Sequence, residues 1–251
     1  MSEALIRLWG DSERVVVLTG AGMSTDSGIP DFRGPNGLWT RDPNAAALFD
    51  IQTYIDDPEV RRRAWEGRRN HPAWTAQPNP GHTALASLQS AGRLGPILTQ
   101  NIDGLHQRAG AGSVIELHGS IWEIECLACG DRTPTPETMA REEPDPRCLV
   151  CGGILKTATV SFGQRLDPDV LDAAIEAART ADLLVAIGTT LTVMPVAGLA
   201  DMAKRLAIVN AETTAYDAQA DVVVREPIGV VAARGGPGAD RVTARPATME
   251  P

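Results

Sequence analysis

Six short apolar runs recur along the chain, at residues 14–18, 96–99, 113–117, 182–187, 206–209 and 221–224, with no polar residue at every second position. Such runs suit strands buried on both faces, which a parallel sheet covered by helices provides. Three of the helical stretches between them open on an acidic or amide residue followed by proline: Asp57-Pro58, Asn79-Pro80 and Asp167-Pro168. A side-chain cap with proline at the first helical position is a start signal. In the last of these stretches Val170, Leu171, Ala174, Ile175 and Ala178 fall on one face. Strands alternating with helices predict an α/β fold with a doubly wound parallel sheet of Rossmann type.

Two segments interrupt the alternation. Residues 36–80 are rich in Pro, Trp and Arg, and residues 120–156 hold all four cysteines. The expected organisation is a large domain from residues 1–35, 81–119 and 157–232, with a small helical and zinc-binding domain inserted from 36–80 and 120–156. Residues 233–251 turn to Gly, Pro, Arg and Ala and read as a mobile tail, too poor in large apolar residues to pack. Cys126-x-x-Cys129 and Cys148-x-x-Cys151 stand 18 residues apart. That spacing forms two knuckles offering four thiolates to one tetrahedral Zn ion. Four thiolates leave the ion no open position for water, so its expected role is structural.

The first run leads into Thr19-Gly20-Ala21-Gly22, and glycines just past a strand let backbone approach a pyrophosphate at a helix N-terminus. Only half a dinucleotide fingerprint is present: Thr25 stands where a third glycine belongs, and no acidic residue ends a second strand about 20 residues on. Residues 24–33 (STDSGIPDFR) are turn-rich where a dinucleotide domain continues its helix, which suits either a loop over a cofactor or a surface turn. No Walker A, G-x-S-x-G or H-E-x-x-H pattern occurs, so P-loop, lipase and zincin chemistries fall away. Gln100-Asn101-Ile102-Asp103 and Glu116-Leu117-His118 follow the second and third runs, where strand ends open onto the crevice of a doubly wound sheet. Of four histidines, His118 is best placed as a base, since an imidazole with a pKa near 6.5 accepts a proton close to neutrality. His71, His82 and His106 read as structural.

Taken together, GAGMSTDSGIPDFRG (20–34), TQNIDGLHQRAG (99–110), ELHGS (116–120), the paired cysteines, GTTLTV (188–193) and VNAE (209–212) resemble the sirtuin family of NAD-dependent protein deacylases, over about residues 10–230 and in family order. The resemblance implies a cleft between the two domains holding NAD and an acylated lysine. In it Gly20, Ala21, Gly22 and Arg33 would hold the pyrophosphate and Phe32 would shield the ribose, with Ser24 and Asp31 in the same loop. Gln100, Asn101, Ile102 and Asp103 would serve the nicotinamide ribose and pocket, Asn101 and Asp103 as catalytic residues beside His118. Gly188, Thr189, Thr190, Asn210 and Glu212 would hold the adenosine end. The acyl oxygen would attack C1′ of the ribose as nicotinamide leaves, giving an alkylimidate, and His118 would deprotonate a ribose hydroxyl so that the intermediate collapses and, with water, yields free lysine, nicotinamide and 2′-O-acyl-ADP-ribose. A sirtuin-like transferase of ADP-ribose, or a non-catalytic acyl-lysine or NAD-metabolite module, are the alternatives.

Residues 157–163 (TATVSFG) alternate apolar with small or polar side chains and could present a strand edge to a peptide, with Val160, Phe162 and Gly163 near the acyl-lysine by the same resemblance. The family commonly has Arg-Pro and Phe-Gly-Glu here, where this chain has Lys156-Thr157 and Phe162-Gly163-Gln164; no adenine contact is assigned after Gly229. On the helix opened by Asp57-Pro58, Arg61, Trp65 and Arg68 share a face. They read either as a solvated cationic face with Trp65 anchored beneath, or as an acyl contact in which Trp65 and Arg68 stand where succinyl-directed sirtuins resemble one another in a Tyr-x-x-Arg pair. The expectation is that neutral acyl groups are processed at least as well as acidic ones, with Arg68 giving residual tolerance of succinyl-lysine.

A net charge of -9 and a pI near 5.0 speak against a dedicated binder of nucleic acid or anionic membrane, which needs excess cations to displace counterions. An acidic surface can still take a basic polypeptide. The uncharged residues 183–200 reach the length of a membrane span, but Gly188, Pro195 and Gly198 among them read as strand, loop and helix. Residues 1–14 lack the pattern of a secretory signal, so a cytoplasmic protein is expected. Its oligomeric state is left open.

Overall fold

The computed structural model describes residues 2–42 and 48–228; the tail expected over 233–251 and any contact after Gly229 lie outside the described residues. Along the chain run α1 (Glu3–Gly10), β1 (Val15–Thr19), a 3-10 helix (Ala21–Ser27), α2 (Leu38–Arg41), α3 (Ile51–Asp56), α4 (Pro58–Arg69) and α5 (Pro80–Ser90). Then come β2 (Ile97–Thr99), α6 (Leu105–Arg108), β3 (Val114–Glu116), β4 (Gly119–Cys126), β5 (Arg132–Pro134), α7 (Thr135–Met139) and β6 (Leu155–Thr159). The last described elements are α8 (Pro168–Thr180), β7 (Leu183–Ile187), β8 (Leu206–Val209) and β9 (Val222–Val224).

All six apolar runs are strands of one parallel sheet, in the order β3-β2-β1-β7-β8-β9. The winding reverses between β1 and β7, which opens a crevice beyond their C-terminal ends. Alternation along each strand feeds two cores. Val15, Val17, Ile97 and Val185 pack with Leu5 and Trp9 of α1 and Leu85 of α5. Val16, Leu18, Leu98 and Leu184 face the other way, onto Ala174 and Ala178 of α8, with Val170 and Ile175 at its margin. The three proline-opened helices carry the expected caps from Asp57, Asn79 and Asp167.

A second, antiparallel sheet has the order β5-β4-β6. Its core is Trp65, Ile124, Cys126, Cys148 and Leu155. Pairing resumes at Gly119 opposite Thr159 after a register shift between Gly119 and Ile124, so β6 runs across the boundary expected between residues 156 and 157. The α4 face is not a solvated cationic one. Arg61 is 3% exposed; its Nε meets the Asp145 carboxylate at 3.0 and 3.2 Å, and its Nη1 donates to the carbonyls of Tyr54 and Ile55. Pairing plus two carbonyls is what makes burying that charge tolerable.

The cap of α5 is unusual. Asn79 Oδ1 accepts from the N–H groups of Gly81 and His82, and His82 Nδ1 accepts from the Asn79 N–H in return, so an imidazole fills the place of the usual Glu or Gln. His82 packs at 4.8 Å from His106, whose Nε2 lies 3.0 Å from Thr19 Oγ1. Burial lowers the His82 pKa to about 4 and that of His106 to about 3. Both are therefore neutral when folded, while the unfolded chain protonates them below about 6.5. Stability is fully present above that pH and falls on acidification by about 1.4 kcal/mol per pH unit for each histidine, down to its folded pKa. His82→Gln, which keeps an acceptor for the cap, should flatten the fall of melting temperature between pH 6.5 and the folded value. An unchanged slope would contradict this assignment.

Candidate active site

Close backbone packing builds the crevice floor. A Cβ on Gly20 would come within 2.7 Å of the Gly188 carbonyl oxygen, and one on Gly22 within 2.9 Å of the Gly188 Cα. The first glycines thus let the turn after β1 lie against the turn after β7, and no side chain caps the 3-10 helix that begins at Ala21. Glycines at a strand end, with no side chain in the way, let backbone come close to an anionic group.

A buried polar network joins the β1 and β2 ends. Asn101 Nδ2 donates to the Gly20 carbonyl at 3.0 Å and to Ser24 Oγ at 3.2 Å, and Ser24 Oγ donates to Asp103 Oδ2 at 2.7 Å. Asp103 Oδ1 accepts from the Leu105 N–H at 2.9 Å. Gln100 Nε2 donates to Thr189 Oγ1 at 2.9 Å, tying β2 to the β7 turn. Ile102 follows as backbone: its carbonyl accepts from the Ile121 N–H. His118 Nδ1 lies 3.1 Å from the Gln100 carbonyl. A carbonyl can only accept, so Nδ1 carries the proton and Nε2 is left as the basic nitrogen. Burial lowers the His118 pKa and the Gln100 carbonyl partly restores it, so the ring is neutral at neutral pH.

The remaining expected residues fall into three groups. Gly188, Thr189, Thr190 and Asn210 stand at the ends of β7 and β8 with Glu212 just beyond; Asn210 Nδ2 donates to the Glu212 carbonyl at 3.0 Å. Arg225 also reaches the Asn210 and Glu212 carbonyls, a residue that sequence reading did not single out. In the loop after the 3-10 helix, Asp31 accepts from the Gly34 N–H, closing a turn, and the Arg33 guanidinium lies 4.5 Å over the Trp39 ring. Phe32 contacts Trp39 and Phe49 at 5.0 and 5.7 Å, and Trp39 meets Phe162 at 5.7 Å. Trp39 and Phe49 were missed. With aromatics at 4% of the chain, their crowding with Phe32 into residues 32–49 was the available signal.

Val160 donates its N–H to the His118 carbonyl at 2.8 Å, and Phe162 exchanges backbone bonds with Phe49 and Ile51. These bonds bring the stretch after β6, including Gly163, to the crevice. In the segment that departs from the family pattern, Lys156 is buried and its Nζ donates to the carbonyls of Thr157 and Thr159; burial lowers its pKa to about 7. Trp65 has no exposed surface, so its expected contact with an acyl group is replaced by a place in the small core. Arg68 lies beside it, with Nε donating to Thr157 Oγ1 at 3.1 Å and Nη1 to Tyr54 Oη at 3.4 Å.

The four cysteine sulfurs lie within 4.8 Å of one another, with separations of 3.4, 3.5 and 3.8 Å between partners from different knuckles. Zn–S bonds of about 2.3 Å in a tetrahedron require sulfurs about 3.8 Å apart, so the donor set fits Zn. The polar set likewise fits a dinucleotide: a tight glycine turn that backbone can bring close to the diphosphate, and amide, hydroxyl and carboxylate groups at either end for the bases and riboses.

The sequence model described as Sir2 family matches residues 20–195. The chain belongs to the Sir2 family. A Streptomyces coelicolor relative named NAD-dependent protein deacetylase 2 is 54% identical over 224 residues, covering 86% of this chain and 93% of its own length. A Pyrobaculum aerophilum relative named NAD-dependent protein deacylase 2 is 40% identical, covering 90% of this chain and 91% of its own. Among solved structures, a Sir2 complex with p53 peptide and NAD+ superposes with a TM-score of 0.84 at 33% identity, covering 93% and 96% of the two chains. The Sir2 fold, with its parallel sheet and four-cysteine module, is the fold expected from the sequence.

Proposed function

We infer that this Sir2 protein is an NAD-dependent protein lysine deacetylase, carrying a structural Zn and acting on acylated lysines in polypeptides. The observation that carries the reading is His118, neutral and held by the Gln100 carbonyl with Nε2 free, beside the linked Asn101, Ser24 and Asp103 side chains. NAD supplies the leaving group and the hydroxyl that receives the acyl group, and one water completes the release of lysine, giving free lysine, nicotinamide and 2′-O-acyl-ADP-ribose. The chain's part is to orient the two substrates, keep water from the ribose carbon until the acyl oxygen has attacked, and accept the hydroxyl proton at His118 Nε2. β6 is an edge strand, and a strand edge is the element to which an extended peptide adds. Among the described residues no helix is long and apolar enough to cross a membrane, and four cysteines without a disulfide suit a reducing cytoplasm. Mass spectrometry of a reaction with NAD and a panel of acyl-lysine peptides tests the reading. Deacylated peptide with one nicotinamide and one acyl-ADP-ribose per turnover is expected, whereas ADP-ribosylated protein without deacylation would replace the reading with transferase chemistry.

Arg68 bears on acyl choice. Its guanidinium stacks 5.2 Å from the Tyr54 ring and 5.1 Å from the Trp65 ring and bonds two hydroxyls, so a succinyl carboxylate must compete for it. An acetyl group makes no such demand. We expect kcat/KM for acetyl-lysine peptide to equal or exceed that for succinyl-lysine, and Arg68→Ala to reduce the succinyl rate by about tenfold, the scale of one charge-assisted hydrogen bond, with a smaller effect on acetyl. A strong succinyl preference in the native protein would reverse this assignment.

A further inference from the structure

Outside the crevice, the small unit carries a groove of about 270 Å³ lined by Arg69, Trp74, Trp122, Thr135, Pro136 and Met139. Its two indoles meet edge to face at 4.9 Å and 85°. Both are held from behind: Trp74 Nε1 donates to the Arg68 carbonyl and Trp122 Nε1 to the Asp103 carbonyl, the latter at 2.8 Å. With their N–H groups committed to backbone, the rings present apolar surface to the groove and no free donor. A wall already fixed in its rotamers loses little entropy when it is covered. Arg69 is the only charged residue in the lining; its Nη2 donates to the Glu143 carbonyl, and no carboxylate pairs with it among the described residues. An apolar, aromatic, fragment-sized groove with one cation at its margin is complementary to a flat apolar ring bearing a negative charge.

Trp122 also touches the crevice. A Cβ on Gly104 would lie 2.8 Å from Trp122 Nε1, so the indole fills the space under the Asp103-Gly104 turn. The Asp103 side chain on that turn takes the Ser24 hydroxyl and the Leu105 N–H. Groove and catalytic pocket thus share one side chain, with its face in the first and its N–H on the second.

We propose that the Trp74–Trp122 groove is a binding site for small aromatic carboxylates and that its occupancy is felt through Trp122 at the nicotinamide pocket. The binding half stands on the groove alone; the coupling half rests on the NAD reading given above. The probe is 1-naphthoate, with 2-naphthalenemethanol as its uncharged counterpart, in calorimetric titrations of the zinc-loaded full chain without NAD or peptide. Naphthoate is expected to bind several-fold more tightly than the alcohol. Arg69→Gln should erase that difference, and Met139→Trp, which fills the groove, should abolish binding of both, with melting temperatures showing that each variant is folded. Saturating naphthoate should then shift the concentration of nicotinamide giving half inhibition by a few-fold in the native protein and not in Met139→Trp. No heat of binding at millimolar probe, or binding unaffected by Met139→Trp, overturns the site. Binding without any shift in nicotinamide inhibition, in a protein that deacetylates, overturns the coupling. If the protein does not deacetylate, the calorimetric result still decides the site.

Discussion

Replacing His118 with alanine is expected to lower deacetylation by about 10²–10⁴-fold, the usual contribution of a positioned general base, while NAD affinity changes little. The geometry explains the split. His118 holds its tautomer through the Gln100 carbonyl, and among the residues that fit a dinucleotide the Asn101, Ser24, Asp103 and Asn210 side chains make their hydrogen bonds to partners other than its ring. A carbonyl orients this histidine where many enzymes use a carboxylate, so no negative charge raises its basicity, and burial lowers its pKa. Protonation removes the base. Turnover should therefore fall as pH drops through a value below about 6.5, and that acid limb should vanish in the residual activity of the variant. Undiminished turnover in His118→Ala, measured beside NAD titrations, would end the assignment.

Removing the metal is expected to unfold the small unit and abolish activity together. Cys126 and Cys148 are ligands and core residues at once, buried with Trp65, Ile124 and Leu155. Without Zn, four sulfurs packed within 4.8 Å must protonate or separate, and metal binding of about 10–16 kcal/mol in comparable Cys-rich modules is the scale of what is lost. The effect spreads because β6, which closes that core through Leu155, leads into Val160 and its bond to the His118 carbonyl. Elemental analysis should give one Zn per chain. Chelation, or Cys148→Ser, should release Trp65 from its buried environment, visible in near-ultraviolet circular dichroism. A metal-free protein with native spectra and activity would refute the structural role.

Much of this was legible in the sequence because the signals were local. The apolar runs marked every strand of the large sheet, the Asx-Pro starts marked three helices, and the cysteine spacing brought four sulfurs together. His118 and the Asn101–Asp103 stretch could be placed from the strands that precede them. What escaped depends on pairs distant in sequence. Nothing near Arg61 announces Asp145, 84 residues away, so a buried ion pair read as a solvated face. Whether Trp65 was anchored or open to an acyl group stayed undecided, because helical spacing shows which residues share a face but not what covers it. The pairing of β6 escaped for a similar reason: the strand is short, and its membership of the second sheet is decided by register with β4. Trp122 sits in a strand with no motif, and its contact with the Asp103 turn exists only in three dimensions.

The aromatic cluster has a practical consequence. The chain contains only three phenylalanines, and Phe32, Phe49 and Phe162 all belong to the group gathered around Trp39. Isotope labelling of phenylalanine alone would yield a spectrum of three residues, each reporting on the loop and strand that flank the crevice and none on the rest of the molecule. Nature has, in effect, left this protein with a spectroscopic window whose field of view is one aromatic cluster beside the crevice, against which added NAD or acyl-lysine peptide can be titrated without introducing a foreign probe.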